Sequence, residues 1–111
     1  MEDSGKLISL PFIAKDKVRD AIKNIVSSKS QNLDILNHAI TRMEERDISI
    51  RQILNVLKNG DQVGDITWCS DRERGWRCKL SRVTAGNKVT VVAKLVKRDN
   101  VHCLVVTTWE G

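Results

Sequence analysis

The sequence predicts an α+β fold, with two to three N-terminal helices packed on one face of a four-stranded antiparallel meander sheet. Three observations support this. Apolar residues recur at helical spacing up to Gly60 and at a spacing of two after it. The connections between the later strands are short, as antiparallel neighbours require. The helices also precede the strands, which places them together on one face of a twisted sheet. At 111 residues the chain suits one domain with one core. Its expected parts are a tail or short edge strand over 1–13, a helical part over 14–60 and a sheet over 61–111.

In the tail, Leu7, Ile8, Leu10, Phe12 and Ile13 are apolar, and Pro11 keeps the segment out of a central strand. From Asp16 to Val26, Val18, Ala21, Ile22, Ile25 and Val26 follow a helical period, which the serines at 27, 28 and 30 break. A second helix is expected over Asn32–Glu45, with Leu33, Leu36, Ala39, Ile40 and Met43 within an arc of about 120°. His38, Thr41, Arg42 and Glu45 fall on its opposite side, close enough for Arg42 and Glu45 to pair. The third helix has the clearest limits. Ser49 and Gln52 form a capping box, and Ile48 and Ile53 form a hydrophobic staple. Ile50, Ile53, Leu54 and Leu57 are the expected buried stripe, and Gly60 is the expected left-handed terminator. Four strands follow, over 63–68, 76–83, 88–96 and 101–109. On the second strand Trp76, Cys78 and Leu80 share one face, and Arg77, Lys79 and Ser81 the other. The third is nearly continuous in β-branched residues, as a central strand buried on both faces would be.

Charge separates the two halves. Residues 1–70 carry ten basic and ten acidic side chains, whereas residues 71–111 carry nine basic and four acidic, so the whole net charge of +5 lies on the β half. Such a surface attracts a nucleic-acid backbone or an acidic protein. It also serves as edge charge that keeps strands from pairing with other molecules, and both readings stand. Cys69, Cys78 and Cys103 form an odd set without CxxC spacing. That suits a reducing, cytoplasmic location and gives no support to a metal site with His38 or His102. The start is acidic before it is apolar, so no secretory signal is expected, and no apolar run reaches the ~20 residues of a membrane span. Phosphate-binding GxGxxG and GxxxxGK[ST] motifs are absent, which argues against nucleotide-dependent chemistry. Three Trp and one Phe offer few stacking platforms.

The run His38-Ala39-x-x-Arg42-Met43-x-Glu45-Arg46-x-Ile48-Ser49, with a capped helix ending at Asn59-Gly60, is narrower than a fold pattern. Together with Val105-Val106-Thr107-Thr108-Trp109, it resembles a family of small uncharacterised bacterial domains over residues 33–109. That family is similar to the RelE/ParE and MqsR-like toxin fold, whose members include endoribonucleases and proteins acting on DNA gyrase. The resemblance implies a RelE-like sheet whose basic face holds RNA, either free or as ribosome-bound mRNA. Lysine and arginine there would stabilise the charge that develops on phosphorus during attack by a 2′-hydroxyl, with no cofactor or metal. The implied catalytic set is His38, Arg42, Arg77, Lys79 and Lys94. Arg72, Arg74, Arg82, His102 and Trp109 are the implied nucleic-acid contacts. The chain contains no tyrosine, and Trp109 can stack on a base but cannot transfer a proton. His38 and Arg42 lie opposite the apolar stripe of their helix. They would meet the basic face only if the helix end bends around the sheet edge.

The expected function is therefore a toxin-like endoribonuclease paired with an antitoxin or another protein partner, without a membrane role. The alternatives are a non-catalytic module of the same fold that binds nucleic acid or a protein through its basic sheet, and an interaction module with no nucleic-acid role.

Overall fold

The computed structural model describes residues 12–111. The tail expected over 1–13 therefore lies, up to residue 11, outside the described residues. Phe12 and Ile13 are not in a strand. Phe12 packs on Trp68 at a ring separation of 6.0 Å, and the Ile13 carbonyl accepts a 2.8 Å hydrogen bond from Trp76 Nε1.

The first helix, α1, is Val18–Ser28, entered through a short 3-10 turn at Lys15–Lys17. Val18, Ile22 and Ile25 are its buried face. The expected second helix divides. Leu33–Ile35 is a strand, β1, and helix α2 runs only over Asn37–Arg46. The physical reason lies in pairing. Leu33 and Ile35 alternate around Asp34, and this short run lies parallel to the last strand with Leu33 opposite Cys103 and Ile35 opposite Val105. Backbone pairing and a half-buried alternating face then outweigh one more turn of helix. Of the apolar stripe expected on this helix, Ala39 is buried and Met43 packs on the core, whereas Leu36 and Ile40 are exposed.

Helix α3, Ile50–Asn59, starts as its sequence dictates. Ser49 Oγ accepts from the Gln52 N–H at 3.1 Å, and Gln52 Oε1 accepts from the Ser49 N–H at 2.9 Å. Ile48 and Ile53 are both buried. The stripe is rotated from the expected one. Gln52, Ile53, Val56 and Leu57 are buried, while Ile50 is 48% exposed. Gly60 is not left-handed (φ −71°, ψ 159°). A Cβ on it would lie 2.5 Å from the Val56 carbonyl oxygen and 3.2 Å from that of Ser81, so the glycine allows a close approach of helix and strand. The left-handed residue of this region is Asp47 (φ 55°), which ends α2 and lets the Ile48 N–H bond to the Met43 carbonyl.

The sheet has six strands and is mixed, not a four-stranded meander. The expected first strand is two fragments, β2 at Asp61–Gln62 and β3 at Thr67–Cys69, separated by Gly64 at φ 73°. Strands β4 (Gly75–Thr84), β5 (Asn87–Lys97) and β6 (Val101–Glu110) form the expected antiparallel meander. The order is β1-β6-β5-β4-β2, with β3 also pairing β4. Strand β5 is central and buried from Val89 to Val96. One face of the sheet joins the helices in a single core that includes Ile22, Ile53, Leu57, Cys78, Leu80, Val91, Leu95 and Val105. Among the described residues no helix is long and apolar enough to cross a membrane.

Candidate functional site

Strand register decides what the second face carries. Lys94 on β5 is opposite Arg77 on β4 and Leu104 on β6; Thr67 pairs with Arg77, and Asp34 with Leu104. A transverse row Thr67–Arg77–Lys94–Leu104–Asp34 therefore crosses five strands, about 19 Å at the usual strand spacing. One row along, Val96 is opposite His102; in the other direction, Val92 is opposite both Lys79 and Thr107. Directly opposed side chains on one face lie about 5 Å apart at Cβ. Arg77, Lys79, Lys94 and His102 thus share one face, as the implied RNA surface requires.

Trp109 stands on the same face, and Lys79 Nζ lies 5.6 Å from its ring centroid, a cation–π pair. These side chains start from strands on either side of β5, opposite Thr90 and Val92, which helps explain why Val92 is buried on this face. Trp68 and Trp76 belong elsewhere. They meet edge to face at 5.2 Å in the helix-side core, leaving Trp109 as the tryptophan of the charged face.

The loop between β3 and β4 folds over the far end of this face. Gly75 lets the start of β4 lie close against β5, because a Cβ there would collide with the Leu95 carbonyl oxygen. Lys94 runs beneath the loop, 9% exposed, and its ammonium donates to the Asp71 carbonyl at 3.1 Å. Arg98 grips Glu73 through two hydrogen bonds of 2.7 and 2.9 Å and reaches Asp34 at 3.1 Å. The paired guanidinium holds the Glu73 carboxyl below the ordinary carboxylate range, and Glu73 in turn raises Arg98. Asp34 also accepts from His102 Nδ1 at 3.1 Å. In the neutral ring, an Nδ1–H donated to a carboxylate leaves Nε2 with its lone pair, the tautomer a general base needs.

The remaining sequence-derived residues are scattered. His38 is exposed on α2, and Arg42 pairs with Glu45 at 3.2 Å, the within-helix pair expected of a solvated face. No hydrogen bond or ion pair joins either to Arg77, Lys79 or Lys94 among the described residues. Arg82 has the parity of Cys78 and Leu80, so it leaves the charged face and donates to the Asn59 carbonyl at 3.2 Å. Arg72 and Arg74 are exposed in the β3–β4 loop. Asp34, Glu73 and Arg98 were absent from the sequence-derived site. The alternation Leu33-Asp34-Ile35 is the sequence signal for Asp34, and the helical spacing of Leu33 with Leu36 and Ala39 masks it. Cys78 and Cys103 are buried on the core side; burial pushes both thiols up, Cys103 to about 12, so neither is a nucleophile near neutrality. Among the described residues no group of three or more His, Cys, Asp or Glu side chains is placed to hold a metal.

No curated protein and no solved structure matches the chain. Residues 35–110, from the end of β1 through β6, match a family described as a domain of unknown function, DUF4258. With about two thirds of its length inside that match, including α2, α3 and the whole β4–β6 meander, the chain belongs to the DUF4258 family.

Proposed function

We propose that the charged face of the sheet binds RNA and cleaves it by transesterification, as expected of a RelE-like, toxin-type endoribonuclease. The observation that supports this reading is the register that aligns Arg77, Lys79, Lys94 and His102 on one face, with Asp34 orienting the histidine. His102 Nε2 takes the proton of a ribose 2′-hydroxyl. The 2′-oxygen attacks phosphorus, the bond to the 5′-oxygen breaks, and the leaving oxygen is protonated by water. Products are a 2′,3′-cyclic phosphate and a free 5′-hydroxyl. Lys94 and Arg77 stabilise the charge on the phosphoryl oxygens, which preorganised cations do well in a partly desolvated cleft. Lys79 and Trp109 extend the track for backbone and base. This assignment replaces His38 by His102 as the base and leaves Arg42 outside the site. Cytoplasmic RNA, free or ribosome-bound, is the substrate class, and an antitoxin-type protein is the expected partner.

The test is cleavage of short RNAs, and of ribosome-bound mRNA, in the presence of a chelator. Cyclic-phosphate products are expected, blocked by a 2′-deoxy sugar at the scissile position. His102→Ala should lower the rate by about 10²-fold or more, the usual contribution of a general base. Full activity in His102→Ala, or no cleavage of any RNA by the unaltered chain, overturns the reading. A second reading, binding without cleavage, is favoured by one observation: Lys94 and Arg98 are engaged by the protein itself. It predicts salt-dependent association with RNA, weaker by about one unit of log–log slope for each phosphate contact removed, and no product.

A further inference from the structure

A depression of about 240 Å³ lies on the charged face, lined in part by Leu104, which is opposite Asp34, and by Arg98, which bonds Asp34. Leu36, Leu104 and Val106 give it an apolar wall, and the loop residues Arg72 and Glu73, with Lys94 and Arg98, complete the lining. A phosphate gains nothing from an apolar wall, whereas the flat face of an aromatic ring does. Two irregularities of the backbone build this place. Val105 pairs with Ala93 and Thr107 with Val92, so Val106 is the extra residue of a β-bulge, a device that re-aims one side chain. Arg72 has φ 52°, the left-handed region that a side chain disfavours. The other non-glycine residues with positive φ are Asp47 at the end of α2 and Ala85 in the β4–β5 turn with Gly86. Arg72 is the middle residue of the loop 70–74 that turns the β3–β4 hairpin.

We propose that this depression is a nucleobase pocket, in which one unstacked RNA base lies between the Arg72 guanidinium and the Leu104–Val106 wall. The proposal rests on the RNA reading above and assigns its specificity. Guanidinium planes and apolar side chains are the usual partners of bases splayed out of single strands. Glu73 and Arg98 supply acceptor and donor atoms at the rim for the base edge, the carboxylate retaining lone pairs beyond those Arg98 uses. The neighbouring phosphate falls to Lys94 and Arg77.

The test uses the full chain with labelled leucine and valine methyl groups. It is titrated with the four nucleoside 3′-monophosphates and, as a base-free control, with ribose 5-phosphate. Saturable shifts of the Leu104 and Val106 methyls are expected with at least one nucleotide and not with ribose phosphate. Arg72→Ala should weaken that binding about tenfold, the effect of removing one stacking platform. Arg72→Gly, which accepts the backbone conformation, should weaken it equally, which separates the guanidinium from the loop's shape. Unchanged affinity in both variants, or equal response to ribose phosphate, overturns the pocket. RNA binding that persists without any nucleotide response at these methyls overturns the pocket and leaves the RNA reading standing. Nucleotide binding here with no RNA bound or cleaved supports the pocket and overturns the RNA reading.

Discussion

Replacing Lys94 by methionine separates stability from activity. The lysine stem is buried in the central strand, and its ammonium has the Asp71 carbonyl as partner at 3.1 Å. No carboxylate oxygen lies within ion-pair distance of it among the described residues. Losing a charge-assisted hydrogen bond costs about 1.5–3 kcal/mol. Against this stands the release of a partly desolvated ammonium, which costs several kcal/mol when burial is complete. Here the cost is a fraction of that, because Lys94 borders the depression. The Asp71 carbonyl is on an exposed loop and regains a partner from water. Methionine preserves the volume, so no cavity term is added. The balance is a fold at least as stable as the original, up to about 1 kcal/mol better, or about 4 °C in Tm. RNA cleavage should fall by about 10²-fold or more, as when one preorganised donor is removed. Urea denaturation gives the first quantity and the cleavage assay the second. A loss of 2 kcal/mol or more would show that Lys94 is the tie that holds the β3–β4 loop, and the reasoning would fail.

Three further outcomes are expected. Ser49→Ala should cost about 1 kcal/mol through the lost capping bond, and an unchanged melting temperature would refute that assignment. Gly75→Ala places a Cβ against the Leu95 carbonyl oxygen and 2.9 Å from Val96 Cγ1, so it should lower the urea midpoint by the equivalent of at least about 2 kcal/mol. Glu73 is held below its ordinary pKa by Arg98, so the folded state takes up its proton less readily than the unfolded chain. Its stabilisation is complete above the unfolded value, about 4.3, and fades as pH falls through the lower folded value. The difference in melting temperature between the unaltered chain and Glu73→Gln should therefore narrow as pH falls below the unfolded value and close once it passes the lower folded one. A gap that stays constant with pH would mean the pair does not contribute.

Local chemistry wrote much of this molecule plainly. The Ser49–Gln52 capping box, the Ile48–Ile53 contact and the alternation on β4 are each settled by neighbours in the chain, so they could be read before any fold was known. The same holds for the buried run on β5 and the excess of basic residues after position 70. Alternation alone placed Arg77 and Lys79 together.

What remained depended on partners distant in sequence. Leu33 shares a helical spacing with Leu36, Ala39 and Ile40, and Leu33–Ile35 becomes a strand only because β6, about seventy residues later, offers an edge to pair with. Gly60 has the residue type of a helix terminator, yet its role comes from how closely Ser81 approaches. Register cannot be read from composition, because a shift of one residue reverses every side chain. Only the assembled sheet therefore put Lys94 beside Arg77, joined His102 to Asp34 and brought Arg98 to Glu73. The sequence by itself determined which residues pair in a helix turn or alternate on a strand, and where the positive charge gathers. Tertiary structure decided which of those charges meet. Hydrogen-bond pairing between strands acts across the fold, whereas capping and periodicity act within a few residues.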